Sequence, residues 1–173
     1  MKRFFFLLLG FAGCIGAASC SDDDDGNNNG NNNLRDMAGT YRMSSWNVPT
    51  AIDYDDDGDS STNMMTESTC YNNTVMTLNE DGTYTSTYNS VGINNGVSSC
   101  AQSQVTSGTW TRNGNNLTAT TTYGGSGTNS WTWNQQANTV TRSLTNSQYP
   151  SINSTTGDFE YATGNISQVY TRQ

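Results

Sequence analysis

Carboxylate side chains are concentrated in the segment 53–59, where five aspartates occur within seven residues. Oxygen ligands at alternate positions ahead of a glycine are typical of a loop that binds Ca²⁺. The twelfth position of such a loop normally carries a bidentate Glu, whereas this chain has Met64 there and Glu67 three residues later. The segment is therefore interpreted either as a Ca²⁺ site or as a solvated acidic loop. The candidate metal ligands are Asp53, Asp55, Asp57 and Asp59.

Side chains that commonly act as acid, base or nucleophile are scarce in this chain. It contains no histidine, and its only lysine is Lys2. Carboxylates, tyrosines and hydroxyl groups are what remains for catalysis. We therefore expect a protein that binds rather than catalyses, and we assign no catalytic residue.

The charge of the chain argues against a polyanionic partner. Seven basic residues stand against 15 acidic ones, for a formal net charge of −8. A nucleic-acid partner requires clustered cations that replace counterions. The arginines beyond the N-terminal segment are isolated from one another, which makes nucleic acid an unsuitable partner. They are Arg35, Arg42, Arg112, Arg142 and Arg172.

The first 20 residues have the features of a secretory signal. Lys2 and Arg3 precede an apolar run over 4–12, and small residues at 17–19 precede Cys20. Cleavage after residue 19 would leave Cys20 first, and this arrangement resembles the acylated cysteine of bacterial lipoproteins. Cys14 is the rival site, although cleavage there would leave an unusually short signal.

An acidic run follows the cysteine directly. It resembles the export signal that sends some lipoproteins of Gram-negative bacteria to the outer face of the outer membrane; the alternative is a solvated acidic spacer. Residues 26–33 are Gly and Asn only, so 20–33 would tether one domain over 34–173 to the membrane, outside the cell. The run consists of Ser21, Asp22, Asp23, Asp24 and Asp25.

Two cysteines remain in the domain. Cys70 and Cys100 would sit in an oxidising compartment, where a disulfide between them is the economical interpretation. The alternative of a reactive thiol pair lacks both a Cys-x-x-Cys spacing and a neighbouring His or Lys.

Nearly every segment past Ala38 alternates between apolar and polar residues, which predicts β-strands with one buried face. In 83–88 the aromatic residues fall on one parity and the threonines on the other. Short turn sequences separate the strands, which favours an all-β, antiparallel up-and-down meander. The alternation itself fits both a closed barrel and a β-sandwich. About eight strands are predicted, near 38–46, 74–79, 82–90, 104–112, 116–123, 128–134, 138–145 and 165–172.

Strand parity also predicts an inward-facing set rich in aromatic rings. An eight-stranded barrel has room for packed side chains or for one small ligand. The predicted inward set is Tyr41, Met76, Leu78, Tyr84, Tyr88, Trp110, Leu117, Ala119, Trp131, Trp133, Val140, Leu144 and Tyr170.

Several motifs, in this order and spacing, resemble lipocalins and the lipocalin-like lipoproteins of bacteria. Gly39-Thr40-Tyr41 is similar to the Gly-x-Trp start of lipocalins, with Tyr41 at the tryptophan's position. The resemblance implies a barrel that binds a small apolar or amphipathic ligand. The alternative function is a structural or adhesive surface module that contacts glycan or matrix with a filled barrel. The other motifs are 78–84, 107–110 and 116–118, and the candidate ligand contacts are Tyr84, Tyr88, Trp110, Trp131 and Trp133.

The anchor leads to the first prediction. We expect Cys20→Ala to move the protein from the membrane fraction to the soluble fraction, because no other segment is apolar enough to hold it in a bilayer. Fractionation followed by mass spectrometry of the N-terminal peptide checks this, with Cys14→Ala as the matched control that should remain acylated. A Cys20→Ala protein that still sediments with an acyl chain on Cys14 would show that the cleavage site is wrong.

Overall fold

The computed structural model describes residues 33–173. The predicted signal, the Cys20 anchor, the acidic run 21–25 and most of the tether lie outside these residues. No helix in the described part is long and apolar enough to cross a membrane. It contains one helical turn, α1 (Met64–Glu67), and 3-10 turns at Leu34–Asp36 and Thr69–Tyr71. The strands are β1 (Gly39–Ile52), β2 (Ser61–Asn63), β3 (Val75–Leu78), β4 (Thr83–Tyr88), β5 (Val91–Asn94), β6 (Val97–Cys100), β7 (Gln104–Asn113), β8 (Asn116–Tyr123), β9 (Gly127–Asn134), β10 (Thr139–Ile152) and β11 (Phe159–Arg172).

Eight of these strands form a closed antiparallel barrel. The strand order is β1, β3, β4, β7, β8, β9, β10 and β11, and β11 pairs back onto β1 from Tyr41 opposite Arg172 to Asn47 opposite Ser167. Closure removes the free edges that two stacked sheets would keep. The predicted barrel is therefore confirmed over the sandwich, and all eight predicted strands are present.

The alternation pattern missed the β5–β6 hairpin and β2, and it underestimated the lengths of β10 and β11. The hairpin of β5 and β6 and the three-residue strand β2 are too short to show a period of two. Strands β10 and β11 continue well past the predicted ends, from 145 to 152 and back to 159, because a register shift after Leu144 changes which parity faces inward.

The inward-facing set forms the core. Of its thirteen members, eleven are buried, and Tyr88 and Leu144 are partly buried. The end of the barrel beside the first 3-10 turn is densely packed. There the fully buried Tyr41 donates its hydroxyl to the carbonyl of Met37 at 2.8 Å, and Trp110 donates Nε1–H to the carbonyl of Asn79 at 2.9 Å. The polar atoms of these two rings, of Tyr41 and Trp110, are therefore satisfied inside the core.

Arg172 fastens the N-terminal turn across this packed end. Its guanidinium donates to the carbonyl of Asp36 at 2.9 Å and to the carbonyl of Ala38. Gly39 has a φ of 149°, and a Cβ there would come within 2.7 Å of Arg172 Nε. A side chain at this position would strain the backbone and would displace the Arg172 guanidinium.

The hairpin of β5 and β6 is attached to the opposite end of the barrel. The predicted disulfide is confirmed: it joins Cys100, at the end of β6, to Cys70, with the Cα atoms 5.0 Å apart. Tyr54 donates its hydroxyl to Ser98 at 2.8 Å, and the Phe159 amide donates to the carbonyl of Gly96 at 3.1 Å. The hairpin is therefore held at its base by a covalent bond and at its tip by β11.

The second prediction follows from this attachment. We expect Cys70→Ser together with Cys100→Ser to lower the free energy of unfolding by about 3 to 4 kcal/mol, because the disulfide closes a loop with a sequence separation of 30. Guanidinium denaturation measures the change, and the wild type under a reductant should converge on the variant. Identical midpoints with and without reductant would contradict a stabilising role for the disulfide.

Candidate functional site

A cavity of about 260 Å³ lies inside the barrel, one layer of inward side chains away from the packed end. Along β10, Val140 belongs to the packed end and Arg142, two residues later, reaches the cavity. Along β9, Trp133 is buried outside the cavity and Trp131 lines it. Two inward-facing residues that lie two positions apart on one strand therefore belong to neighbouring layers, one to the packed end and the other to the cavity.

The cavity wall combines rings with polar groups. Its rings belong to Tyr84, Tyr88, Trp131 and Tyr170. Apolar surface with a few convergent polar groups is typical of a small-molecule site. The polar part comes from Ser86, Gln104, Thr106, Asn129, Arg142 and Gln168.

Two phenol groups of the wall, those of Tyr88 and Tyr170, stay protonated well above neutral pH. Burial raises the pKa of Tyr88 to about 12, although the Arg142 cation and a hydrogen bond from Gln168 act to lower it. Burial likewise raises the pKa of Tyr170. Gln168 Nε2 donates to the Tyr88 hydroxyl oxygen at 3.4 Å, and Tyr84 and Thr121 share a hydroxyl hydrogen bond. The Tyr88 and Tyr170 hydroxyls are therefore neutral donors.

Arg142 is the cation of this cavity. Its guanidinium lies 5.7 Å from the centroid of the Trp131 ring and donates to Asn129 Oδ1. Burial lowers the pKa of Arg142, while Tyr170 and Tyr88 act to raise it. The guanidinium still carries its charge at neutral pH, because an arginine in a protein remains protonated.

A second cavity, of about 230 Å³, lies beside the β5–β6 hairpin. Trp46 and Tyr71, whose rings stack with centroids 4.9 Å apart, form part of its wall. Tyr88 lines both cavities. The two spaces are therefore neighbours, separated in part by one ring.

The family model of the lipocalin-like domain matches residues 37–136. The chain belongs to the lipocalin-like domain family. The matched residues run from the packed end through β9, and the closed eight-stranded barrel is the fold that this family implies. Lipocalin-like proteins are generally binding proteins rather than enzymes. Comparisons with characterised proteins and with solved structures each gave no significant match.

The five residues predicted as ligand contacts lie in two parts of the lipocalin-like barrel, the cavity and the packed end. Tyr84, Tyr88 and Trp131 line the cavity. Trp110 and Trp133 lie in the packed end, with 2% and 3% of their surface exposed, and Arg112 lies 4.6 Å above the Trp133 ring centroid. Ligand contact by any of the five residues stays a prediction.

Arg142 and Gln168 are cavity residues that the sequence reasoning missed. Each occupies an inward position in a strand whose inward neighbours are mostly apolar, such as Val140 before Arg142 and Tyr170 after Gln168. A polar residue at an inward parity position is itself a signal of a site, because burying a polar group requires a partner.

The acidic loop of the lipocalin-like domain brings together a different set of carboxylates from the predicted one. One oxygen from each of Asp53, Asp55 and Glu67 lies within 4.8 Å of the other two. Glu67 is 4% exposed and accepts from the Tyr54 amide at 2.9 Å. Asp57 and Asp59 stand outside this group; Asp57 instead accepts from the Asp59 amide at 2.9 Å. Calcium binding at this loop stays a prediction.

The raised phenol pKa values generate the third prediction. Below pH 10 the Tyr88 phenol is neutral in both states; above it the unfolded chain loses the proton, while the folded state keeps it up to about pH 12. The free energy of unfolding should therefore fall as pH rises from 9 to 11, and Tyr88 should account for about 1 kcal/mol of that fall.

Urea denaturation at pH 9 and at pH 11 measures the effect. Between these pH values Tyr88→Phe should lose less free energy of unfolding than the wild type does. The matched control Tyr123→Phe should lose as much as the wild type, because the Tyr123 side chain is 69% exposed. A Tyr88→Phe protein with the full wild-type loss would contradict the assignment of the raised pKa to that phenol.

Proposed function

We propose that the protein is a lipid-anchored lipocalin-like binding protein, facing the cell exterior, that holds a small apolar or amphipathic molecule inside its barrel. The observation that carries the proposal is the ring-lined cavity of about 260 Å³ in a barrel whose other end is packed. A barrel that served only as a scaffold would gain stability by filling this space, because buried voids lose dispersion contacts.

The size of the cavity indicates the size of the ligand. Sites for drug-sized molecules usually measure about 300 to 1,000 Å³, so a cavity of about 260 Å³ suits a compact compound of up to about three rings rather than a long acyl chain. The rings of Tyr84 and Trp131 provide flat apolar surface, and the polar side chains between them can orient the bound molecule.

The N-terminal sequence supports the location in this proposal. A cysteine acylated at residue 20 would hold the domain at the outer membrane. In this proposal the segment 26–33, made of Gly and Asn, links the anchor to the domain. A tethered barrel of this kind would capture its ligand at the cell surface.

The fourth prediction tests binding. N-phenyl-1-naphthylamine, an uncharged fluorescent probe, should bind the full mature chain carrying Cys20→Ala with one-to-one stoichiometry and should quench tryptophan emission. Removing the acyl chain avoids detergent micelles, which would absorb the probe. Trp131→Leu should weaken probe binding, because it removes a ring from the cavity wall.

Trp110→Leu is the matched control in the packed end. It should retain probe affinity while lowering the free energy of unfolding by roughly 3 kcal/mol, since it shrinks a buried ring. A folded wild-type domain without saturable probe binding would remove the carrier function. It would favour the structural or adhesive module that contacts glycan or matrix.

A further inference from the structure

The cavity contains a cation that has no counter-ion among the described residues. Within residues 33–173, the carboxylates that lie within ion-pair distance of an arginine are Glu80, beside Arg35, and Asp36, beside Arg112. Arg142 has no such partner; its hydrogen bond goes to a neutral amide, that of Asn129. A partly buried guanidinium loses hydration, and a neutral amide compensates for that loss less well than a carboxylate does.

Arg112 provides a comparison within the same molecule. Both arginines lie above an indole ring, Arg112 above Trp133 and Arg142 above Trp131. Arg112 is also paired with Asp36 at 3.0 Å. The barrel thus neutralises the arginine at its packed end and leaves the one in its cavity without a neutralising side chain.

Two further donors lie at the cavity, beside the neutral side chains of Ser86, Gln104 and Thr106, which can both donate and accept. The buried indole N–H of Trp131 has no acceptor in the described part of the chain, and the same holds for the indole N–H groups of Trp46 and Trp133. An indole nitrogen can only donate. The Tyr88 hydroxyl oxygen accepts from Gln168, which leaves its proton for another acceptor. Buried donors without acceptors are rare in native proteins, because each costs free energy. A ligand group with negatively charged acceptor oxygens would complement Arg142 and these donors.

We propose that the ligand carries a compact oxyanion, a carboxylate or a sulfonate, that binds the guanidinium of Arg142, beside an aromatic or alicyclic part that packs on the rings of the cavity. Two oxygens of one oxyanion match the planar fork of a guanidinium. The inference rests on the proposed function and narrows it from any small apolar molecule to a small amphipathic anion.

The overall charge of the protein sharpens this selectivity. With a formal net charge of −8, the molecule as a whole repels anions. A preference for an anionic ligand over its neutral analogue therefore requires a local site, since bulk attraction would act in the opposite direction.

A matched pair of probes tests the inference on the full mature chain carrying Cys20→Ala. N-Phenyl-1-naphthylamine is neutral, and 1-anilinonaphthalene-8-sulfonate has the same ring system with one sulfonate. The wild type should bind the sulfonate at least about tenfold more tightly than the neutral probe. Arg142→Met should remove that preference, lowering sulfonate affinity at least about tenfold more than it changes neutral-probe affinity. Arg42→Met changes the net charge equally at an exposed position and should alter neither affinity.

Displacement on the wild type keeps the test independent of any variant's folding. 2-Naphthoate should displace the bound sulfonate probe at concentrations at which 2-naphthamide does not. Equal affinity for the two probes, or equal displacement by acid and amide, would overturn the oxyanion site and leave the proposed carrier function standing. Absence of binding by both probes to the folded wild type would remove the carrier function and the inference together.

Discussion

The pairing of β11 with β1 is the constraint on which the rest of the structure depends. Seven hairpin-like pairings build the meander, but only this contact between the two ends of the domain turns it into a barrel. Once closed, the sheet has one interior, and every second side chain of each barrel strand must enter it. Arg172 reinforces the closure, because its guanidinium joins the last strand to the carbonyls of Asp36 and Ala38 ahead of the first.

Side-chain size then decides which part of the barrel interior is filled by packed side chains. At the packed end the inward positions carry Tyr41, Trp110 and Leu117, and these fill the cross-section. One layer further, positions of the same parity carry Ser86, Thr106 and Asn129, which are too small to meet across the barrel. The cavity is thus a consequence of short polar side chains at positions where a filled barrel would need large apolar ones.

The end of the barrel near the cavities is shaped by segments inserted between barrel strands. The β5–β6 hairpin interrupts the sequence between β4 and β7, and the disulfide from Cys100 to Cys70 fixes its base. Val91 of this hairpin lines the second cavity together with Tyr88, which also lines the first. The hairpin therefore helps to set the environment in which Tyr88 and Arg142 lie. In that partly desolvated environment, charge and hydrogen-bonding capacity count for more than they would on the surface.

Alternation along the chain was enough to predict the eight barrel strands, their antiparallel order and the inward parity of residues such as Tyr41 and Trp131, since strand geometry fixes a period of two whatever the tertiary fold. The pairing of Cys70 with Cys100 also followed from the sequence, because only two cysteines remained in the domain.

Closure into a barrel did not follow from the alternation, because the same inward residues would fill a sandwich. The sequence also did not predict that Trp131 lies at the cavity while Trp110 and Trp133 lie in the packed end. It did not predict that Glu67 lies close to Asp53 and Asp55. These depend on strand register and on how far the barrel staggers its strands, which place residues distant in sequence at one level of the interior. The tertiary structure alone decided that Arg142 would stand in a cavity without a carboxylate beside it.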